Sequence, residues 1–147
     1  MRPYFFNESG YIFSFDTKPR QLWDFSMGTN DIYIITIYTD GYSPIITLNL
    51  NFDILGELFY KMLSIYAGNI VTFGLQLPMS SPQEQVTMTV VREDSGIRFI
   101  FRRKNLMRYM DYVDIIVYLT ANDAAELVNA LTKEYFEGAL SNNEFKE

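Results

Sequence analysis

The chain alternates between two hydrophobic periods, and it does so twice. Tyr11 to Phe15, Leu22 to Met27, Ile32 to Tyr38 and Pro44 to Leu50 are short β-rich runs, with Asp40-Gly41 as a hairpin turn signal before the last of them. Phe52, Leu55, Leu58, Phe59, Met62, Leu63 and Tyr66 then recur at helical spacing. Asn51 stands where an N-cap belongs, because its side-chain oxygen can accept a free backbone N–H. Gly68 stands where a helix stops, so the spacing predicts a helix over 52–67.

The second half repeats the order. Ile70 to Gln76 reads as a strand, and a Pro/Ser-rich loop follows at 78–82. Val86, Met88 and Val90 alternate with Thr87 and Thr89, Asp94-Ser95-Gly96 turns the chain, and Ile97, Phe99 and Phe101 alternate with Arg98, Ile100 and Arg102. A connection over 104–111 leads to a strand over 113–119. Thr120, with Asp123 three residues on, opens a second helix as an acidic variant of the capping box. Its stripe is Ala124, Leu127, Val128, Leu131 and Tyr135, and Gly138 is the expected stop. The pattern predicts an α+β fold of two consecutive ββββα halves, with antiparallel sheets packed against two helices. It predicts one domain over 1–140, with pseudo-repeats at about 10–68 and 69–138, and a polar tail over 141–147.

Residue matches accompany the repeated order. Gly10 to Phe15 is similar to Gly68 to Phe73. Ile45 to Leu63 can be laid over Asp114 to Thr132, placing Leu50 on Leu119, Asn51 on Thr120, Glu57 on Glu126, Leu58 on Leu127 and Met62 on Leu131. The two matches need different offsets, which implies an insertion between them. Any two amphipathic strand-then-helix units share apolar positions, so the order of elements carries more weight than the residue matches.

Composition narrows the chemistry. The 147 residues include no His and no Cys. That removes the usual proton shuttle, the Ser-His-Asp and Cys-His arrangements, and zinc sites built on those ligands. No phosphate-binding loop or dinucleotide fingerprint is present. Carboxylate chemistry survives, and Asp111-Tyr112-Val113-Asp114 is its best local candidate, although Asp before a strand more often serves a turn. A non-catalytic binding protein is therefore expected, with no cofactor and no metal. The longest apolar run, Ile32 to Tyr38, is too short to span a bilayer. With no secretory signal pattern at the N-terminus, a cytoplasmic location is the expectation.

Charge is uneven. The chain carries a net charge of −6, yet the stretch from Ser95 to Met110 holds five cations and no acid, leaving −11 for the remainder. If Phe99 and Phe101 face the core, Arg98 and Arg102 project outward together. Arg103, Lys104, Arg108 and Tyr109 follow in the connection. Arg98, Arg102, Arg103, Lys104, Arg108 and Tyr109 are thus the candidate binding residues. Cations beside an aromatic on an antiparallel sheet suit single-stranded DNA or RNA, whose phosphates need charge and whose splayed bases stack. The same stretch would also serve as edge protection or as a docking point for a protein partner, including another copy in a homo-oligomer. The acidic remainder suits an interaction or inhibitor module facing a basic partner. Trp23, Phe25, Phe59, Phe99 and Phe101 are expected in the core, and Tyr42, Tyr109 and Tyr112 at the surface.

The doubled ββββα order, carried by the paired runs Gly10 to Phe15 with Gly68 to Phe73 and Leu50 to Met62 with Leu119 to Leu131, resembles the Whirly-type family of single-stranded nucleic-acid-binding transcriptional regulators. The resemblance is one of topology and covers the chain from Tyr11 to about Gly138. It implies two sheets packed around helices, with strand faces and loops holding an extended strand. The family's lysine-rich motif on an early strand has no counterpart here, where Leu22 to Met27 contains no lysine, so no functional residue carries over. A TATA-binding-protein-like arrangement fits the order less well.

Overall fold

A computed structural model describes residues 4–8, 10–18, 32–39, 41, 43–77, 84–105 and 112–145. The element order is β1 (Tyr4–Glu8), β2 (Tyr11–Lys18), β3 (Ile32–Thr39), β4 (Pro44–Leu50), α1 (Phe52–Tyr66), β5 (Thr72–Leu77), β6 (Glu84–Glu93), β7 (Gly96–Asn105), β8 (Tyr112–Thr120) and α2 (Ala121–Phe145). Each half is an antiparallel meander, ordered β1-β2-β3-β4 and β5-β6-β7-β8, followed by one helix. The α+β reading and the two ββββα halves hold.

Register decides what is buried. In the second sheet, Phe73, Val90, Phe99 and Val117 form one cross-strand row, and Leu75, Met88, Phe101 and Ile115 form the next. All eight are buried. In the first sheet Phe15, Ile35 and Leu48 align in the same way, as do Phe13, Ile37 and Ile46. The two layers meet at aromatic rings: the Phe13 centroid lies 5.3 Å from Phe99 and 6.3 Å from Phe101. Full burial of each large apolar side chain is worth about 1.5–3 kcal/mol, which makes this row-against-row contact a main source of stability. Both helices pack on the inward sheet faces and on each other, where Tyr135 stacks on Phe59 at 5.0 Å and on Phe52 at 5.2 Å.

The caps follow their chemistry. The Asn51 side chain accepts from the Ile54 N–H at 2.9 Å, and Thr120 Oγ1 accepts from the Asp123 N–H at 3.3 Å. Gly68 has φ +85°. Its N–H donates to the Ile65 carbonyl, and the Asn69 N–H donates to the Ser64 carbonyl at 2.9 Å. This is the paired closure that a left-handed residue after a helix permits. A cation also stands there, since a Cβ on Gly68 would collide with the Arg92 guanidinium, and positive charge is favoured at a helix C-terminus.

Three expectations are corrected. First, Tyr4–Glu8 is a strand, paired in full with Tyr11–Phe15. Its adjacent aromatics, Phe5 and Phe6, give no alternation to read. The expected strand over 22–27, with Trp23 and Phe25, lies outside the described residues, as do Asp40 and Tyr42. Second, α2 does not stop at Gly138 but continues to Phe145, through five residues of the expected tail. Gly138 is a site of close approach: a Cβ there would lie 2.7 Å from Phe52 Cε2 and 2.8 Å from the Tyr33 hydroxyl. Third, the match of Gly10–Phe15 with Gly68–Phe73 sets β2, second in its sheet, beside β5, first in its sheet. Those positions are not equivalent. The other match does join equivalents, β4-α1 with β8-α2. Asn51 and Thr120 both cap, while Leu50 and Leu119, Leu58 and Leu127, and Met62 and Leu131 are all buried.

Candidate functional site

Strand β7 lies inside its sheet, paired with β6 on one side and β8 on the other. Its outward side chains are Arg98, Ile100, Arg102 and Lys104, since Ile97, Phe99 and Phe101 are buried. This is the parity that the sequence predicts. Across the strands, Thr72, Val91, Arg98 and Tyr118 form one outward row. Gly74, Thr89, Ile100 and Ile116 form the next, and Gln76, Thr87, Arg102 and Asp114 the third. The helices pack on the opposite side of this sheet. The outward face is therefore a broad antiparallel surface of threonine, glutamine, aliphatic and cationic groups.

The candidate residues divide by side. Arg98, Arg102 and Lys104 share the outward face. Arg103 has the opposite parity and donates through Nη1 to the Ile45 carbonyl of β4 at 3.2 Å, so it ties the second layer to the first. Arg108 and Tyr109 lie outside the described residues, and so do Asp111 and the side chain of Tyr112.

Two of the three outward cations hold carboxylates. Arg102 Nε donates to Asp114 Oδ1 at 2.8 Å and Nη2 to Oδ2 at 2.9 Å, a two-bond fork. The hydrogen bond from Arg102 holds the Asp114 carboxyl below its ordinary value of 3.8. Partial desolvation opposes this, and the guanidinium charge adds to it. Arg98 forms an ion pair with Glu93. Its Nε is buried with no hydrogen-bond partner among the described residues, which leaves one donor of the fork unused. Beside it the Ser95 and Tyr118 hydroxyls are hydrogen-bonded at 2.6 Å. Lys104 is exposed. Three cations against two carboxylates leave this face close to neutral.

Glu93 and Asp114 are the residues that reasoning on the charge window missed. They flank Ser95–Met110 in sequence, and antiparallel pairing folds them back onto it: Glu93 lies opposite Gly96, and Asp114 opposite Arg102. The Asp94-Ser95-Gly96 turn, with strict period-2 counting from it, would have placed Glu93 on the face of Arg98. A second missed feature is on the helices. Tyr60 and Phe136 are exposed beside the Phe59–Tyr135 stack, with Tyr60 and Tyr135 in edge contact at 5.5 Å, and Leu63 and Leu140 are exposed on the same two helices. Among the described residues no cluster of three or more acidic side chains is arranged to hold a metal ion, and no helix is long and apolar enough to cross a membrane.

No protein-family model and no curated protein matches the chain in sequence. Solved structures do match in fold. WHY3 of Arabidopsis thaliana superposes with a TM-score of 0.64 at 8% identity, covering 99% of this chain and 95% of that one. WHY1 of Arabidopsis thaliana gives 0.61 at 9% identity, covering 99% and 94%. The plant transcriptional regulator PBF-2 gives 0.59 at 12% identity, covering 98% and 87%. The chain thus has the overall fold of the Whirly proteins along nearly its whole length, at an identity that speaks for the fold alone.

Proposed function

We propose that the protein is a non-catalytic binder of single-stranded nucleic acid, and that the strand lies along the outward face of β7 and its neighbours. The observation that carries this reading is the column Arg98, Arg102 and Lys104 on one open sheet face, in a chain that shares the Whirly fold from end to end. Residues two apart on a strand stand about 6.7 Å from one another, so the column offers cations in line with an extended backbone. Thr87, Thr89 and Gln76 offer donors and acceptors to bases, and Ile116, exposed at 46%, offers apolar surface. Arg108 and Tyr109, close in sequence, would extend the same interface.

Fluorescence anisotropy with a labelled single-stranded oligonucleotide at low salt tests this. Binding at micromolar protein or below is expected, with a limiting slope of log K against log salt near −2 above about 0.1 M for about three phosphate contacts. Charge reversal at Arg102 and Lys104 should weaken it at least tenfold. Absence of binding at micromolar protein overturns the reading. The exposed Tyr60, Leu63, Phe136 and Leu140 favour a second reading, in which the helical side docks a protein partner or another copy of the chain. A monomeric mass by light scattering at every concentration would remove self-association.

A further inference from the structure

The carboxylates on the outward face occupy the guanidinium edges that a phosphate would use. We infer that Glu93 and Asp114 act as built-in competitors for Arg98 and Arg102, standing in for phosphates until a polyanion displaces them, and that they thereby set the affinity and the selectivity of the face. This rests on the proposed binding of a phosphate-bearing strand there.

Three features support it. The Asp114 fork takes Arg102 Nε and Nη2 together, the same two-donor edge that binds phosphate oxygens bidentately. Asp114 sits on β8, an edge strand of its sheet, with its side chain 31% exposed, so it can turn away without breaking the ladder. Arg98 keeps a buried Nε without an acceptor beside its Glu93 pair, so a phosphate that replaces Glu93 with a fork gains a bond that the carboxylate does not make. An exposed ion pair contributes little by itself, so displacement is cheap. It must still be made at each arginine, which favours ligands with several phosphates in a row over single anions.

The test uses the full chain and a double-mutant cycle. Single-strand affinity is measured for the protein as it stands, for Glu93→Gln, for Asp114→Asn, for Arg102→Gln, and for Asp114→Asn combined with Arg102→Gln. Glu126→Gln, an exposed acid on α2, controls for the change in net charge. Each of Glu93→Gln and Asp114→Asn should tighten binding by about two- to fivefold. The gain from Asp114→Asn should fall to that of Glu126→Gln once Arg102 is gone. An equal gain with and without Arg102 would mean action through space alone and would overturn the inference. Inorganic pyrophosphate, followed through the arginine Nε–H resonances, is the second probe. If the variants gain affinity for pyrophosphate while no form binds the oligonucleotide, the single-strand reading falls and the competitor role stands. If the oligonucleotide binds and neither probe responds to the substitutions, the competitor role falls and the single-strand reading stands. No gain for either probe, with no oligonucleotide binding, removes both.

Discussion

Arg102 and Asp114 meet because each is the outward residue of its strand at a directly opposed position. The hydrogen bonds from Arg102 lower the Asp114 pKa from 3.8. An acid whose folded-state pKa is depressed adds stability that is complete above its unfolded value and is lost as pH falls through the folded one. The contribution is therefore whole at neutral pH and disappears below about 3.8. Since half of the Arg102 side chain is exposed, the pair is worth no more than about 1 kcal/mol. In Arg102→Gln, carboxyl-detected NMR should find Asp114 titrating close to its ordinary 3.8, and the variant should be slightly less stable than the parent at neutral pH while the two converge in acid. An unchanged Asp114 titration would show that the fork is not formed in solution. Parity at this scale was legible in the sequence: the alternation of Phe99 and Phe101 with Arg98 and Arg102 is a property of consecutive residues. Pairing was not. Glu93 and Asp114 reach their arginines through register, which depends on where the turns close, and a charge window drawn along the chain cuts both of them off.

Elements whose ends are fixed by local hydrogen bonds were read correctly, and those fixed by distant packing were not. Asn51, Gly68 and Thr120 act within one turn of chain, so their side chains or φ preferences announce the boundary. Gly138 announces a stop by the same logic, yet it lies inside α2 because Phe52 and Tyr33 occupy the space where its side chain would be. Those partners come from another helix and another sheet. Gly138→Ala separates the two meanings. At a helix stop, alanine would cost backbone conformation; inside an open helix it would stabilise by up to about 1 kcal/mol. Here the added methyl must displace Phe52 from its 5.2 Å stack on Tyr135 or press on the buried Tyr33, an overpacking that costs about 1–3 kcal/mol. Net destabilisation of about 1–2 kcal/mol is expected, measured by urea unfolding, with Tyr135 aromatic resonances shifted. A variant more stable than the parent would contradict the packing. The missed β1 belongs to the same class, since its identity as a strand comes from pairing with β2 rather than from its own pattern.

On the scale of the molecule, the two sides carry different charge. The helices expose Asp53, Glu57, Glu126 and Glu137 against Lys133 and Lys61, the latter paired with Glu57, while the opposite sheet face is near neutral with cations in line, and the whole chain is at −6. Local attraction and global repulsion have different ranges. On the proposed reading a phosphate on Arg102 would be held at hydrogen-bond distance and weakened by salt through counterion release at all concentrations. The repulsion from the acidic helices acts across the width of the domain. It is felt when the Debye length is about 30 Å at 0.01 M salt and is largely screened when it is about 8 Å at 0.15 M. The two trends oppose each other only at the low end. Single-strand affinity should accordingly fall along a curved line, shallow at the lowest salt and steepening above about 0.1 M. Neutralising Glu126 and Glu137 together should raise affinity at the low-salt end and leave the high-salt limb unchanged, which straightens the curve. A straight line for the parent would mean that the helical charge does not act on the ligand, whereas a uniform upward shift for the variant would mean that this charge is close to the ligand, and would place the strand on a different face from the one holding Arg98, Arg102 and Lys104.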